Sequence, residues 1–438
     1  AWTVSGAYDK TESYDNMENR RINVRFNNSI KPIKHLRLNL GVYYTNNRLS
    51  GSPFPQIGSV LIQGRHVPYL KFSENGLPLP VATTYRKSYL DTLGRGSLLD
   101  WNLYPLEDYK HYSNTTDRND ITANLGLNYR LLKGLDVDIS YQYQRQQAST
   151  ENIANVHSYQ ARDLINTFAQ LTRDGVTGEV VSVSHNNLPV GDILTSSSQL
   201  VQSQNFRGQA NYNNTWGDHS VFAIAGFQVR ETVTDLGASS TYYGYSSDPI
   251  KYGQVDFKNP YPTVFGYERN IPGPPVFNGV QTYRFVSYYS NISYSYKDRY
   301  TFSISGRRDG SNLFGAETND KWKPLWSTGI SWELSREKFY KFDAVPYVKV
   351  RATLGYSGNV DLRKTPYPIA HYSIADPNTG YPIATVGRLN DPSLRWEQTS
   401  QLNFGIDFST RKQRISGSVE YYYKKSNNLY GTAPSDYT

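Results

Sequence analysis

The chain has 438 residues, of which 38% are hydrophobic and 14% aromatic, with 38 Tyr and no Cys. The absence of Cys excludes disulfides, thiolate metal sites and a Cys nucleophile, and the many aromatic residues argue against disorder. The net charge of +8 comes from Lys and Arg residues dispersed along the chain, so a nucleic-acid surface is not indicated.

No apolar run reaches the roughly 18 residues of a membrane-spanning helix. The nearest one, Val221–Val229, contains Ala225-Gly226. The start, Ala1-Trp2-Thr3, has neither the basic nor the apolar region of a signal peptide. Spanning by helices is therefore excluded, whereas spanning by short, half-polar β-strands is not.

Alternation of apolar and polar residues with a period of two begins at Trp2 and recurs along the chain. Apolar positions from Ile22 to Phe26 and from Leu36 to Tyr44 alternate with polar ones and are joined through Lys31-Pro32. This pattern predicts a hairpin with one apolar and one polar face. The same pattern predicts further strands over 121–129, 135–143, 206–212 and 221–230.

Four long segments, near 45–119, 146–204, 231–282 and 358–395, interrupt the strands and are predicted to be loops. Within the second of them, Ala161–Leu171 has the composition of a short helix.

The clearest hairpin runs from Tyr283 to Gly310. Apolar residues between Val286 and Tyr296 share one face, polar residues such as Ser287 and Asn291 share the other, and Lys297-Asp298-Arg299 forms the turn. Strands over 326–332, 348–356, 402–408 and 415–423 complete a count of about 13, most of them predicted to span roughly 8 to 12 residues.

The connections alternate between short and long. Short turns fall near residues 30, 133, 217, 298 and 412, and only Glu333–Pro346 is of intermediate length in a short-turn position. Outer-membrane barrels sort their connections in this way, with short periplasmic turns and long extracellular loops. The fold predicted from the residues is therefore all-β, an antiparallel transmembrane β-barrel that begins on a rising strand and ends in a loop near Thr438.

Aromatic residues are expected to form girdles at the lipid–water interface. Pairs such as Tyr43/Tyr44, Tyr141/Tyr143 and Trp326/Trp332 lie near the ends of the alternating runs. The alternative is that Tyr is simply a good strand former.

Several motifs in the second half of the chain resemble those of SusC/RagA-type TonB-dependent transporters. They cover about residues 283 to 430, and the first 280 residues resemble the family only in their pattern of strands and loops. The motifs are Tyr294-Ser-Tyr-Lys-Asp-Arg-Tyr300, Gly306-Arg-Arg-Asp-Gly-Ser311, Phe314-Gly315, Leu354-Gly-Tyr-Ser-Gly-Asn359, Asp391-Pro-Ser-Leu-Arg-Trp-Glu-Gln-Thr399, Asn403-Phe-Gly-Ile-Asp407 and Tyr421-Tyr-Tyr-Lys-Lys425.

The resemblance implies a 22-stranded outer-membrane barrel, of which about 13 strands would lie in this sequence, without its plug domain and TonB box. It implies import of an oligosaccharide or peptide nutrient driven by the TonB complex. It further implies a SusD-like lipoprotein lid, outer-membrane lipid around the barrel and no cofactor.

No catalytic or metal site stands out. The seven His residues do not have ligand spacing, and Asp136 and Asp138 suit a lumen-facing strand better than a glycosidase pair. Substrate-binding candidates are aromatic residues of the long loops, because ring faces stack on sugars. Packing within the loops or against a lid is the alternative for each of them. The candidates are Trp101, Tyr104, Tyr109, Tyr242, Tyr243 and Tyr245.

Three functions remain open at this level. Nutrient import by a TonB-dependent transporter is favoured. A passive porin or adhesin barrel would not need TonB energy. A soluble secreted carbohydrate-active β-protein would be recovered without membranes.

Overall fold

A continuous path of thirteen antiparallel strands, which belongs to a 15-stranded sheet of the described residues, dominates the computed structural model of the chain. The structure describes residues 1–14, 16–52, 54, 60–62, 64–67, 69–93, 95–177, 179–273, 279–313, 322–373, 383–389, 391 and 394–431. We call this path of thirteen strands the wall. Its strands are β1 (Trp2–Glu12), β2 (Met17–Ile33), β3 (Leu36–Gly51), β4 (Tyr112–Leu132), β5 (Leu135–Ala154), β6 (Asp192–Trp216), β7 (His219–Leu236), β8 (Gly279–Tyr296), β9 (Tyr300–Ser311), β10 (Trp322–Trp332), β11 (Tyr347–Asn359), β12 (Glu397–Ser409) and β13 (Ser416–Asn427).

Each strand of the wall pairs with the next one in the chain, and every such pair is antiparallel. The predicted all-β antiparallel fold and the count of about 13 strands are therefore confirmed. No helix among the described residues is long and apolar enough to cross a membrane.

The strands are longer than the 8 to 12 residues predicted, since β4 has 21 residues, β5 has 20 and β6 has 25. The prediction counted only the segments with an alternating apolar face. The backbone ladder continues beyond them through residues that are polar on both faces, because pairing in water does not need an apolar face. The connections predicted as 45–119, 146–204, 231–282 and 358–395 accordingly shorten to 52–111, 155–191, 237–278 and 360–396.

Short turns gather at one end of the wall, at 34–35, 133–134, 217–218, 297–299 and 410–415, as predicted. The first turn lies at Lys34-His35, and Lys31-Pro32 belongs to β2. The turn at Gly134 requires glycine, because its φ is +84° and a Cβ there would lie 2.4 Å from the carbonyl oxygen of Asn213.

Apolar side chains cover one face of the wall in continuous rows. One row pairs Phe302 with Ile330, Ile330 with Ala352, and Ala352 with Phe404. Phe302, Ile330 and Phe404 are 47%, 61% and 48% exposed, whereas large apolar side chains of a water-soluble sheet are buried. This face is the lipid-facing surface of an outer-membrane barrel.

The hairpin at Lys297-Asp298-Arg299 is confirmed, with Tyr296 paired to Tyr300 across the turn and Ile292 paired to Ile304. Lys297 and Asp298 both have positive φ, as tight hairpin turns require. Ser287 lies on the opposite, inner face of the wall and is 5% exposed.

Aromatic rings gather at the turn end of β6 to β10. His219 stacks on Trp216 and Tyr294, with ring centroids 6.0 and 5.9 Å apart, and Tyr300 stacks on Trp332 at 6.3 Å. This set fits one interfacial girdle. Tyr43 and Tyr44, by contrast, lie in the middle of β3 on opposite faces, so that pair was wrongly placed at a strand end.

The connections at the other end carry short helices and two-stranded sheets. The helix predicted over Ala161–Leu171 is present as α2, shifted by a few residues. The helices at this end are α1 (Lys87–Leu93), α2 (Tyr159–Thr167) and the 3-10 turn Asp108–His111, whereas the 3-10 turns Leu334–Arg336 and Arg411–Gln413 lie at the turn end of the wall. The two-stranded sheets are Leu61–Ile62 with Arg65–His66, Ser73–Glu74 with Leu77–Pro78, Ala169–Arg173 with Val180–Asn186, Tyr261–Pro262 with Glu268–Arg269, and Ile369–Ser373 with Ile383–Arg388. Two further strands branch from the wall, since Ser240–Ser247 pairs with the first residues of β6 and with Ile250–Gly253.

These loops contain the buried apolar core of the described chain. Ser158 caps α2 by accepting a hydrogen bond from the backbone N–H of Ala161, and Phe168, fully buried, follows the last turn. We call the cluster the loop core. Its members are Ala154, Ala161, Ile165, Phe168, Leu188, Ile193, Tyr243 and Ile271.

Candidate functional site

The inner face of the wall is lined by polar groups that bind one another. Arg207 on β6 donates a hydrogen bond of 2.7 Å to the Tyr289 hydroxyl on β8, and its guanidinium lies 5.5 Å from the centre of that ring. The Tyr289 hydroxyl in turn donates to Gln209 at 2.9 Å. These contacts fix a charged group and an aromatic ring on a surface that faces away from lipid.

A second polar group lies higher on the same face, on β8 and β9. Arg307 Nε donates to both carboxylate oxygens of Asp309, at 2.7 and 2.8 Å, and the Arg307 guanidinium also donates to Ser287 at 3.1 Å. Asp309 is 9% exposed, so the ion pair satisfies a carboxylate that would otherwise be buried alone. In the sequence, Arg307 and Asp309 belong to the motif Gly306–Ser311, one of those that carry the family resemblance.

Nearer the turns, Arg351 on β11 connects the last strands of the wall. Its guanidinium donates to Asp407 on β12 at 3.2 Å and to Glu420 on β13. One cation thus serves two carboxylates, which leaves a negative charge on this part of the inner face.

Amide and hydroxyl side chains form a broad concavity of about 520 Å³ on the inner face of β1 to β7. Gln142 donates to Asn124 at 2.9 Å, and Gln228 donates to Asn205 at 2.9 Å. Such groups can exchange these partners for the hydroxyls or amides of a solute, because donor and acceptor lie on the same side chain.

The predicted lumen-facing position of Asp136 and Asp138 agrees with their contacts. Asp138 accepts hydrogen bonds from Asn128 at 2.7 Å and from Asn211, and Asp136 pairs with Arg130 at 3.4 Å. Both carboxylates are thus occupied by neighbours on the inner face.

Trp101 was predicted to bind substrate, but it is 8% exposed and its ring face is not accessible. Its indole N–H donates a hydrogen bond of 2.7 Å to Asp163 of α2, and its ring lies 5.6 Å from that of Phe265. The long loop places this Trp against α2, a contact that loop composition alone could not reveal.

Tyr243 is likewise buried, at 2% exposure within the loop core. Its hydroxyl donates to the carbonyl of Pro272 at 2.7 Å. Burial raises the pKa of this phenol to about 12, so it stays a neutral hydrogen-bond donor. Neither Trp101 nor Tyr243 has a ring face open to solvent in this structure, and substrate binding by the six aromatic candidates stays a prediction.

The other four candidates keep part of their surface in solvent. Tyr242 meets Tyr252 edge-on at 4.8 Å, and Tyr109 meets Phe54 edge-on at 4.7 Å. Tyr104 and Tyr245 are half-buried.

Asp163 links α2 to the long loop through Trp101. Burial raises the pKa of its carboxyl, and the Trp101 hydrogen bond partly opposes that shift. Arg162, beside it, donates to the carbonyl oxygens of His157 and Asp100. The contacts of Asp163 with Trp101 and of Arg162 with Asp100 therefore hold α2 against the loop 52–111.

Sequence reasoning missed a polar pocket of about 290 Å³ between the loop 360–396 and the end of β13. Lys364, Arg388 and Arg395 bring three positive charges to it, against the single carboxylate of Asp391. These residues are separated in sequence and have no shared spacing, so no sequence signal could have grouped them. The pocket suits an anionic group.

Within the described ranges, no group of three or more His, Asp or Glu side chains could hold a metal ion. Phe314-Gly315 and Thr438 lie outside the described residues, as do Pro392 and Ser393 of the motif that starts at Asp391.

Comparison with known proteins gives consistent matches. Residues 69–438 match the family described as TonB dependent receptor-like, beta-barrel. A TonB-dependent receptor P39 of Formosa agariphila is 31% identical over 244 residues, which cover 53% of this chain and 21% of that protein. TonB-dependent receptor SusC of Bacteroides thetaiotaomicron is 26% identical over 151 residues, covering 33% of this chain and 15% of that protein.

Among solved structures, that of the RagAB peptide transporter superposes with a TM-score of 0.69 at 15% identity. The superposition covers 100% of this chain and 44% of that chain. The chain therefore spans less than half of this structural relative, and its matches span between about a seventh and a fifth of the two curated ones.

Proposed function

We propose that this chain, which belongs to the TonB dependent receptor-like β-barrel family, forms the wall and outer loops of a transporter that imports an oligosaccharide or peptide nutrient. The family places the chain in the bacterial outer membrane. The observation that carries the proposal is the two-sided wall, with exposed apolar rows outside and hydrogen-bonding groups inside. A polar nutrient can cross such a wall only along its inner face.

A soluble secreted β-protein, one of the three alternatives, is wrong. Family membership places the chain in the outer membrane, and side chains such as Ile330, 61% exposed, and Phe404, 48% exposed, form rows that only lipid can cover favourably.

The loops provide the first contact with the nutrient. Tyr104, Tyr109, Tyr242 and Tyr245 offer partly exposed rings, which can stack on a sugar ring or on the side chains of a peptide. Trp101 and Tyr243 position these loops through their contacts with Asp163 and Pro272.

Beyond the loops, the nutrient meets amides and hydroxyls of the concavity on the inner face. Transport needs only binding and release, so no catalytic residue and no cofactor is required. The partners in this proposal are a SusD-like lipoprotein lid over the loops and the TonB complex, which acts through a plug region.

The test uses the bacterium that carries the full-length gene, grown on single nutrients of two classes, neutral oligosaccharides and peptides. Deletion of the gene is expected to abolish growth on one class and leave growth on simple sugars unchanged. Inactivation of TonB is expected to have the same effect on that nutrient, because energised import is the proposed step.

Uptake that persists without TonB would overturn the proposal in favour of a passive porin. Unchanged growth of the deletion strain on both classes would also contradict it. Tyr242→Ala, compared with Tyr14→Ala at a fully exposed turn residue, then reports whether the loop rings contribute to uptake.

A further inference from the structure

The polar pocket of about 290 Å³ lies at the loop end of the wall, between the loop 360–396 and the residues that follow β13. Its volume falls at the lower limit of sites that hold small molecules. The pocket therefore has room for one unit of a larger nutrient, such as one sugar or one amino-acid residue.

The segment 428–431 closes one side of this pocket. β13 ends at Asn427, and Asn428 has a φ of +55°. The backbone N–H of Tyr430 then donates a hydrogen bond of 3.0 Å to Glu397 at the start of β12, and the Tyr430 hydroxyl donates to the carbonyl of Arg395 at 2.9 Å. The segment is thus held against the end of the loop.

Main-chain hydrogen bonds hold the loop side of the pocket. The N–H of Asp391 donates to the carbonyl of Pro366 at 3.0 Å, and the N–H of Leu394 donates to the carbonyl of Asp391 at 3.1 Å. Pro366 is fully buried. The two ends of the loop are thereby joined, which brings Lys364 and Arg395 to one cavity although they are distant in sequence.

Glu397 relates the pocket to the two faces of the wall. It lies an even number of residues before Asp407 on β12, and the register with β11 is continuous between them. Strand alternation therefore places both side chains on the same face. Asp407 binds Arg351 on the inner face. Because Tyr430 is bonded to Glu397, the pocket adjoins the inner face at its loop end.

Three cationic side chains line the pocket, those of Lys364, Arg388 and Arg395, together with the carboxylate of Asp391. Within the described residues, no hydrogen bond or ion pair engages the charged ends of these three cations. Lys364 and Arg388 are half-buried, so their donors are less well solvated than those of a fully exposed side chain. Cations placed in this way favour an anionic ligand.

Two neighbouring carboxylates are committed to other partners. The oxygens of Asp361 accept hydrogen bonds from the Arg363 guanidinium at 3.0 and 3.1 Å. Those of Glu397 accept from the backbone of Tyr430 at 3.0 Å and from the side-chain amide of Asn359 at 2.9 Å. Neither carboxylate is therefore bound to the three cations of the pocket.

The described charges around the pocket are positive in sum. In the loop 360–396, at Glu397 and in the segment 428–431, the cations are the three of the pocket and Arg363, and the carboxylates are Asp361, Asp391 and Glu397. Two further lysines lie beside the first residues of β12, since Lys323 donates to Gln398 at 3.0 Å and Lys425 is paired with Ser400. Their charge adds to the attraction for an anion.

We propose that this pocket is a subsite for one carboxylate group of the imported nutrient. Arg388 and Arg395 offer planar guanidinium groups, whose N–H donors match the two oxygens of a carboxylate, and Lys364 adds a third cation. Every peptide ends in a carboxylate, and acidic sugars carry one. The inference rests on the proposed function and narrows it to nutrients that bear this group.

Isothermal titration calorimetry on the full-length protein in detergent tests the subsite. The probes are trialanine and trigalacturonate, each compared with a partner that lacks the carboxylate, trialanine amide or the methyl ester of trigalacturonate. We expect at least one carboxylate probe to bind about tenfold more tightly than its partner, as a hydrogen bond to a charged group predicts. Equal binding within both pairs, or no binding of either carboxylate probe, would overturn the proposal.

Substitutions in the pocket identify the donors. Arg388→Gln and Arg395→Gln should each reduce this preference by about tenfold and leave the binding of the neutral partner unchanged. The control is Arg65→Gln, at an exposed arginine of the loop 52–111, which should keep the wild-type preference. A preference that survives both pocket substitutions, or one that the control loses equally, would contradict the assignment.

A second measurement uses the wild-type chain and so does not depend on the folding of variants. Phenylglyoxal modifies accessible arginines, and peptide mapping by mass spectrometry follows its rate at Arg388, Arg395 and Arg65. Acetate should slow the reaction at the first two, relative to chloride at equal ionic strength, and leave Arg65 unaffected. Equal rates in acetate and chloride, or stronger protection by methyl sulfate than by acetate, would rule out a carboxylate subsite.

These outcomes are separate from those of the growth experiment. TonB-dependent growth on the nutrient without any preference for carboxylates would contradict the subsite and leave the proposed import intact. Carboxylate binding together with uptake that persists without TonB would support the subsite and contradict energised import.

Discussion

The wall and the loop core follow opposite rules of burial within one chain. Outward apolar side chains of the wall, such as Ile330 and Tyr421, are 61% and 66% exposed, whereas Phe168 and Leu188 of the loop core are 0% exposed. The wall has lipid as one of its solvents and needs no core of its own, while the loops stand in water and must bury apolar surface to become ordered. A large apolar side chain therefore indicates a lipid-facing position in the wall and a buried position in the loops.

The polar groups differ in the same way. In the loops, buried groups such as Asp163 and the Tyr243 hydroxyl are satisfied by neighbours that fix the fold. On the inner face of the wall, groups such as Arg207 and Gln142 bind one another at a surface that a solute can reach. Polar contacts stabilise the loops, whereas on the wall they also line a surface open to solutes.

The largest expected effect tests the water-facing region. Phe168→Ala removes the fully buried ring of the loop core and should lower the local free energy of unfolding by about 3–5 kcal/mol. Hydrogen exchange of peptides from 154–193, followed by mass spectrometry, should accelerate while exchange in the wall stays unchanged. Val176→Ala, at a side chain 96% exposed, serves as the control. Equal exchange in Phe168→Ala and wild type would contradict the assignment of a core.

The next effect tests the lipid-facing region. Ile304 lies four residues above Tyr300, near the middle of an apolar band of roughly 25 Å. Ile304→Arg should destabilise the folded barrel by about 2–4 kcal/mol, because the charge enters hydrocarbon. Guanidinium unfolding of the full-length protein in vesicles measures the change in the free energy of unfolding.

Ser305→Arg is the matched variant, because Ser305 is the neighbouring residue on the inner face. It should cost far less than Ile304→Arg, since its charge meets polar groups. If the two substitutions destabilise the protein equally, the assignment of the two faces is wrong.

The smallest effect concerns pH. Burial raises the pKa of Asp163 in the folded state, so its stabilising contribution is complete below the unfolded pKa and is lost as pH rises through the folded pKa. Asp163→Asn keeps a side-chain oxygen that can accept the hydrogen bond from Trp101. Because an amide does not ionise, the substitution should remove the loss of stability at rising pH. Hydrogen exchange of α2 measured from acid to neutral pH should then depend less on pH than in wild type, after correction for the intrinsic rate.

Sequence periodicity predicted the wall well, because every strand of a two-sided sheet repeats its pattern with a period of two. The hairpin of Val286 to Ile304 has the predicted faces and turn. Strand ends were predicted poorly, since β6 continues to Asp192 through residues with no apolar face.

The candidate site was predicted less well than the fold. Aromatic composition identified the loops as the region of interest, but Trp101 and Tyr243 proved to be buried supports rather than accessible rings. The charged pocket of Lys364, Arg388 and Arg395 left no trace in the sequence, because its members come together only when separate loops fold.

The sequence by itself determined the pattern of the wall, its two faces and the sorting of its turns, since these depend on neighbours along one strand and across one hairpin. Only the tertiary structure decided which loop residues are buried and where Arg351 finds its two carboxylates. These features depend on contacts between strands and loops that are distant in sequence, and no local period encodes them.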